Sequence, residues 1–190
     1  MKHLLIGILL LGAQVLYAQP SGLQVGEKAP DFSATDQHGQ LVQLQKLLEK
    51  GPVVIFFYRG QWCPYCNKQI KQMQDSLQLL STKSASVLAV SPEIQENIAK
   101  TVSKTKAEFP VLHDEGLRIM NAYKVTYAVD SATIDRYKKF NIDFNQVNGT
   151  NGAKLPVPAV YIIKNGVISY RYFNEDYTKR PSIRELVEHL

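Results

Sequence analysis

Apolar positions along this chain fall into short groups whose period switches between continuous, two-residue and helical spacing. "VVIFFY" (53–58) and "SVLAVS" (86–91) are unbroken apolar runs rich in β-branched and aromatic residues, which predicts strands covered on both faces. Between them, Cys66, Ile70, Met73, Leu77 and Leu80 recur at intervals of four, three, four and three, which predicts one helix with a single apolar stripe. Lys68, Gln69, Lys71, Gln72, Gln74 and Asp75 fill its other faces. Upstream, "GLQVGEKAPDFSATDQHGQLVQL" predicts strand, turn and strand with His38-Gly39 in the turn, and "QLQKLLEKG" a short helix ending at Gly51. Downstream, "PEIQENIAKTVSKTKAE" predicts a helix with Pro92 and Glu93 in its first turn. "FPVLHDE" carries a short strand and "GLRIMNAYKV" a short helix. "AVYIIKNGVISYRYF" is a hairpin pattern around Asn165-Gly166, and "SIRELVEHL" a closing helix capped by Ser182.

Residues 126–156 are the least regular part, with one expected helix at "SATIDRYKKF" and a polar loop, "NQVNGTNGAK". Because they lead directly into "LPVPA", they are expected to lie beside whatever site Pro158 faces; the alternative is a surface insertion with no influence on substrate. The order β-β-α-β-α-β-α-β-β-α, with no internal repeat or splitting linker, predicts an α/β fold: a central mixed sheet with helices on both faces.

The first eighteen residues follow another pattern. A positive "MKH", an apolar "LLIGILLLGAQVL" and a plausible cut in "YAQP" after Ala18 are the layout of a secretory signal peptide. The apolar part is short for a membrane span, which needs about 20 residues; an uncleaved N-terminal anchor is the competing reading. Removing 18 of 190 residues leaves 172, a single expected domain over 22–190 in a periplasmic or secreted setting. The net charge of +5 is dispersed, which argues against nucleic acid as a partner, and the short runs "YKKF" and "YTKR" read as solvated faces.

Export puts the only two cysteines, Cys63 and Cys66, where disulfides persist. A domain of this size folds without staples, and a bridge over so short a loop removes little unfolded-state entropy. The pair is therefore expected to be chemical. With Cys63 at a helix N-terminus, free amides and the helix dipole favour its thiolate. Cys66, one turn on at the head of the apolar stripe, is expected to be the shielded sulfur and Cys63 the exposed one. That makes an attacker and a resolver linked by a Cys63–Cys66 disulfide cycle. Pro64 is tolerated at an early helical position, with Tyr65 beside it. Trp62 either lines the approach to Cys63 or is a half-buried aromatic at a strand end. Arg59 is either a guanidinium that favours the thiolate or an ordinary surface arginine. Zinc needs about four ligands, and His38, His113 and His189 are scattered singly, so no metal is expected. A copper-handling role lacks a suitably placed histidine.

The residues that carry the motif also resemble a known family. "VGEKAPDFSATDQHGQLVQL", "GPVVIFFYRGQWCPYCNKQI", "VLAVSPE", "FPVLHDEGLRIMNAY" and "LPVPAVYII" resemble, in order, the alkyl hydroperoxide reductase C/thiol-specific antioxidant (AhpC/TSA) family, in its peroxiredoxin-like branch. The resemblance runs from about Gly26 to the last helix and implies a thioredoxin-like fold. It implies thiol-based reduction of peroxides or disulfides without organic cofactor or metal, with electrons from a thioredoxin-type dithiol protein. It makes Cys63 the attacking and Cys66 the resolving cysteine, and Pro158 a cis-proline facing the active-site sulfur. Two positions depart from the family: Gly60 stands where a Thr or Ser is usual, and Pro158 where an Arg is usual. A non-catalytic binding domain with a vestigial disulfide is the reading from a different class.

Overall fold

The computed structural model describes residues 19–190, so the expected signal peptide lies outside the described residues. Along the chain, β1 (Ser33–Thr35) and β2 (Leu41–Gln43) precede α1 (Leu44–Leu48) and β3 (Val53–Phe57). Then come α2 (Pro64–Asp75), α3 (Leu77–Ser81), β4 (Ser86–Ser91), α4 (Gln95–Thr105), β5 (Val111–His113) and α5 (Arg118–Ala122). The remainder is β6 (Thr126–Ala128), α6 (Ser131–Lys138), α7 (Phe144–Asn148), β7 (Lys154–Pro156), β8 (Ala159–Lys164), β9 (Val167–Phe173) and α8 (Ile183–Glu188).

Every residue of β3 is fully buried, as its unbroken apolar run demands, and the strand is central in a five-stranded sheet of order β5-β4-β3-β8-β9. It pairs parallel with β4 and antiparallel with β8, which makes the sheet mixed. Alternate β3 side chains feed two cores. Val53, Ile55 and Phe57 meet Leu44 of α1 and Met120 of α5 on one face. Val54 and Phe56 meet Ile70 of α2, Ile98 of α4 and Leu186 of α8 on the other. Helices therefore cover both faces, as a thioredoxin-like fold requires. The β8–β9 turn has Asn165 and Gly166 at φ 53° and 77°, the left-handed pair that a tight hairpin needs. Ser182 caps α8 by accepting from the Glu185 amide at 3.1 Å.

Three expectations are corrected. The single striped helix breaks at Ser76 (φ −105°, ψ 6°), whose amide is shared between the Gln72 and Met73 carbonyls. The apolar stripe nonetheless continues across the break to buried Leu80. The helix expected to include Pro92 and Glu93 starts only at Gln95, after an extended Ile94 (φ −64°, ψ 159°). Glu93 is held short of it because its carboxylate and the Ile94 amide both bond elsewhere, to the Gln61 amide and the Val147 carbonyl. Finally, residues 126–156 are more ordered than one helix and a loop. β6 and β7 pair antiparallel, from Thr126 opposite Pro156 to Ala128 opposite Lys154, and close the segment at its base. Strands of three residues are too short to print a period on the sequence.

Candidate active site

β3 aims the chain at the site. The Tyr58 amide still bonds the Val90 carbonyl at 3.0 Å, after which Arg59, Gly60, Gln61 and Trp62 turn the chain into α2. Cys63 is the extended N-cap (φ −89°, ψ 110°) and Pro64 occupies the first turn, where a missing amide costs nothing. The Cys63 carbonyl accepts from the amides of Cys66 and Asn67, both at 3.1 Å.

Both cysteines are free thiols, and both are buried: Cys63 is 1% exposed and Cys66 is 0% exposed. The expectation of an exposed Cys63 is thus corrected; the turn and residues 126–156 cover it. Their electrostatics differ nevertheless. The Cys63 thiol is lowered to about 6, chiefly by a hydrogen bond from the Cys66 thiol. The Cys66 amide and the charges of Arg59 and Arg180 add to this, against the opposing effect of burial. Cys66 is pushed well up by burial and by the neighbouring Cys63 sulfur, despite Arg180 Nη2 at 3.6 Å from its Sγ. One sulfur is thiolate near neutrality and the other keeps its proton.

Arg59 is no surface residue. At 3% exposure its guanidinium sits against the rings of Tyr177, Trp62 and Tyr137 at 4.3, 4.9 and 5.6 Å, and Nη2 donates to the Tyr137 hydroxyl at 2.5 Å. Aromatic faces stabilise a desolvated cation by about 2 kcal/mol. Trp62 packs edge-on against Tyr137 and Phe144, with centroids at 5.0 and 6.0 Å, so residues 126–156 do border the site. Together with Cys63, Arg59, Trp62, Tyr137 and Tyr177 line a cleft of about 530 Å³. Tyr65, at its rim, is half exposed and meets Tyr177 edge-on.

Gly60 has a steric reason to be glycine. Its φ of +153° disfavours an L side chain, and a Cβ there would stand 2.5 Å from Trp62 Nε1 and 2.8 Å from Glu93 Oε1. The hydroxyl usual at this position has no room. Pro158 differs from expectation in one way: its peptide bond is trans, as are all those among the described residues. It lines a cavity of about 650 Å³. That cavity and the cysteine cleft share Tyr177, and the Asn174 amide on the Pro158 carbonyl (3.2 Å) and the Val157 amide on the Val125 carbonyl hold the stretch that carries Pro158.

Four residues at the site went unread in the sequence. Tyr137 belongs to "YKKF" and Tyr177 and Arg180 to "YTKR", two short runs whose composition suggests solvated faces. Their lysines are exposed, as is Phe140, but Tyr137 and Arg180 are partly buried and Tyr137 and Tyr177 line the cleft, and the flanking aromatics are the available signal. Glu93, read as a helix-start acid, is fully buried under the Gly60–Trp62 turn. His113 holds the Glu93 carbonyl through Nδ1 at 2.7 Å, His38 lies in the β1–β2 turn and His189 ends α8. Among the described residues no group of three His, Cys, Asp or Glu is placed to hold a metal.

The chain is similar to known proteins in sequence and fold. Residues 25–171 match the model of the AhpC/TSA family. The thiol-disulfide oxidoreductase ResA of Bacillus cereus is 30% identical over 124 residues, which is 65% of this chain and 70% of that protein. The chloroplastic peroxiredoxin Q of Oryza sativa is 29% identical over 151 residues, covering 79% of this chain and 59% of that one. Among solved structures, the peroxidoxin BcpB of Mycobacterium tuberculosis superposes with a TM-score of 0.65 at 21% identity, over 80% of this chain and 87% of that one. The reduced 2-Cys peroxiredoxin of Plasmodium vivax gives 0.63 at 17%, over 86% and 92%. At such identities the two structures speak for the fold alone.

Proposed function

The chain belongs to the AhpC/TSA family, and from that premise we propose that it is an exported thiol peroxidase cycling through Cys63 and Cys66. The observation that carries this reading is a thiolate-prone Cys63 only 1% exposed in a narrow aromatic cleft beside the Arg59 guanidinium. Such a sulfur is open to a small hydroperoxide and shielded from a folded protein's disulfide. The Cys63 thiolate attacks the terminal peroxide oxygen, the O–O bond breaks, and the alkoxide leaves to take up a proton. Cys63 becomes a sulfenic acid, and a hydroxide's worth of oxygen departs as water when the Cys66 sulfur displaces it to form the disulfide. A thioredoxin-type dithiol protein restores both thiols and is itself oxidised. Arg59, and Arg180 beside Cys66, supply the positive charge that the missing hydroxyl at Gly60 does not.

One observation favours a second reading. The Gly60 turn cannot hold the hydroxyl that a peroxidase of this family uses, and a ResA relative is a thiol-disulfide oxidoreductase, so protein-disulfide reduction without peroxidase activity is the alternative. Assays of the reduced protein against hydrogen peroxide, an organic hydroperoxide and a protein disulfide separate the two. Peroxide oxidising Cys63 at least about 100-fold faster than a simple thiol is the expected result. Peroxide no faster than a simple thiol, with protein disulfides reduced quickly, would promote the alternative. The layout of residues 1–18 supports export, and the same preparation, taken from the exported fraction, is expected to begin at Gln19.

A further inference from the structure

Arg180 sits against α2 on the loop that follows β9, with Nη2 at 3.6 Å from Cys66 Sγ. Its other bonds fix it there. Nε donates to Gln69 Oε1 at 2.5 Å, and Nη1 donates to the Tyr177 and Lys179 carbonyls at 2.8 and 2.6 Å. Gln69 lies one turn after Cys66 in α2 and is buried, so the side chain that orients the guanidinium is a neutral acceptor. Among the described residues no carboxylate forms an ion pair with Arg180, and Asp176 of the same loop is bonded by the Thr178 amide and hydroxyl instead. A planar guanidinium held by neutral partners keeps its charge for the sulfur in front of it.

We propose that Arg180 makes Cys66 the departing thiolate when the Cys63–Cys66 disulfide is reduced, and so directs the reductant to Cys63. This rests on the proposed cycle through both cysteines and holds for either of its substrates. A donor thiolate attacks Cys63 Sγ, the S–S bond breaks, and its electron pair leaves on Cys66 Sγ. Cys66 then takes the proton of the donor's second thiol, whose sulfur closes the donor's own disulfide and releases Cys63 as thiolate. The donor dithiol is oxidised and the protein disulfide reduced. Departure is faster for a sulfur whose thiolate is stabilised, and burial alone would make Cys66 a poor leaving group. In the reduced protein, burial and the Cys63 sulfur together hold Cys66 protonated. During departure Cys63 is bonded to the donor and uncharged, so its opposition is gone and Arg180 is left against burial. Nor does the low pKa of Cys63 favour its own departure, because its chief cause is the Cys66 thiol, which the disulfide lacks.

The test is reduction of the oxidised protein by dithiothreitol, quenched with acid at intervals and read by alkylation and mass. Arg180→Gln should slow it about 10- to 100-fold, the factor for losing one charge-assisted bond. Gln69→Glu is the sharper variant. It keeps the guanidinium in place but gives it a carboxylate partner, so reduction should again slow by about 10-fold, whereas a merely structural Arg180 predicts an unchanged rate. Alkylation of Cys63 in the reduced protein should change less than reduction in both variants, since Arg180 comes behind Cys66 and Arg59 in lowering that thiol. Glutathione added to the oxidised unmodified protein and quenched early should be found on Cys63, with Cys66 free. Glutathione on Cys66 overturns the inference, as does an unchanged reduction rate in either variant or equal slowing of reduction and alkylation. Should Arg180→Gln fail to fold, Gln69→Glu and the position of glutathione decide. An oxidised protein that holds no Cys63–Cys66 disulfide overturns the proposed function itself, and the inference with it.

Discussion

The five-stranded sheet and the segment from Thr126 to Pro156 hold the same cleft from opposite sides, and by different means. The sheet's side is built on burial: β3 and β8 contribute residues that are almost all fully enclosed, and their hydrogen-bonded register fixes where Arg59 and Cys63 emerge. The segment has little core of its own. Only Val129, Phe144 and Leu155 are buried apolar residues in its cluster, and α6 buries none at all. It is held by particular contacts instead. Asn151 donates to the Pro92 and Asp114 carbonyls, the Val147 carbonyl accepts from Ile94 and Asn97, and the Tyr137 hydroxyl accepts from Arg59. A region with few buried apolar contacts opens locally at a lower free energy than the sheet it covers. The sheet therefore sets the reactivity of the sulfurs, and the segment sets what reaches them. On the proposed function, a protein dithiol that recycles the disulfide would have to wait for that opening, because Cys63 is buried, whereas a small peroxide would not.

Arg59 stands where the two regions meet, so removing it should produce the largest effect. Arg59→Ala takes a positive charge from beside Cys63 and also empties the cage of Trp62, Tyr137 and Tyr177. One preorganised donor is worth about 2.7–4 kcal/mol, so peroxide consumption followed by stopped flow should fall about 100-fold or more. The pH midpoint of Cys63 alkylation should move up toward the ordinary thiol range, though only in part, since the bond from Cys66 remains the main cause of its lowering. A rate within a few-fold of the unmodified protein would reduce Arg59 to a packing residue of the segment.

Gly60 probes the sheet's side alone. Gly60→Ser would restore the hydroxyl found elsewhere in the family, but at a φ of +153° and against Trp62 Nε1 and Glu93 Oε1. Backbone strain of this kind costs about 1–3 kcal/mol, and the urea midpoint should drop accordingly at unchanged m. No gain in peroxide rate is expected, because the displaced carboxyl and indole disturb the turn that positions Cys63. A variant of full stability and faster peroxide reaction would show that the turn has more freedom than its contacts imply.

The same division governs what the sequence discloses. Buried strands and the striped helix are legible because burial on one or two faces imposes a period, and Cys63 at the head of α2 follows from that pattern. The Asn165-Gly166 hairpin and the Ser182 cap are legible from local chemistry alone. Glu93 was not, since nothing in "SPEIQ" separates a solvated first-turn acid from one drawn under a turn 32 positions earlier in the chain. Tyr137 and Arg180 were hidden in short basic runs because their partners, Arg59 and Cys66, are 78 and 114 positions away. The family resemblance agrees with the roles that helix position gives Cys63 and Cys66, while the cis bond it implies at Pro158 is trans here. In this chain the site's second wall is made by Tyr137 and Tyr177, which lie in parts of the sequence with no period to read.

The smallest effect belongs to Tyr137→Phe, and it tests the comparison most directly. The ring and its packing on Trp62 and Phe144 stay, while the hydroxyl that accepts from Arg59 goes. Tyr137 is only half-buried, so the loss is that of a partly solvated hydrogen bond, about 1 kcal/mol, or roughly a fivefold shift toward the open segment. Amide exchange through α6 and α7 should quicken by about that factor, while β3 and β4 keep their protection. The reaction of peroxide with Cys63 should hardly change, because the sheet's side of the site is intact. Reduction of the oxidised protein by a dithiol protein should accelerate several-fold, because that step waits on opening. Were β3 and β4 to exchange faster in step with the segment, the two regions would be one cooperative unit, and access could not be tuned apart from reactivity.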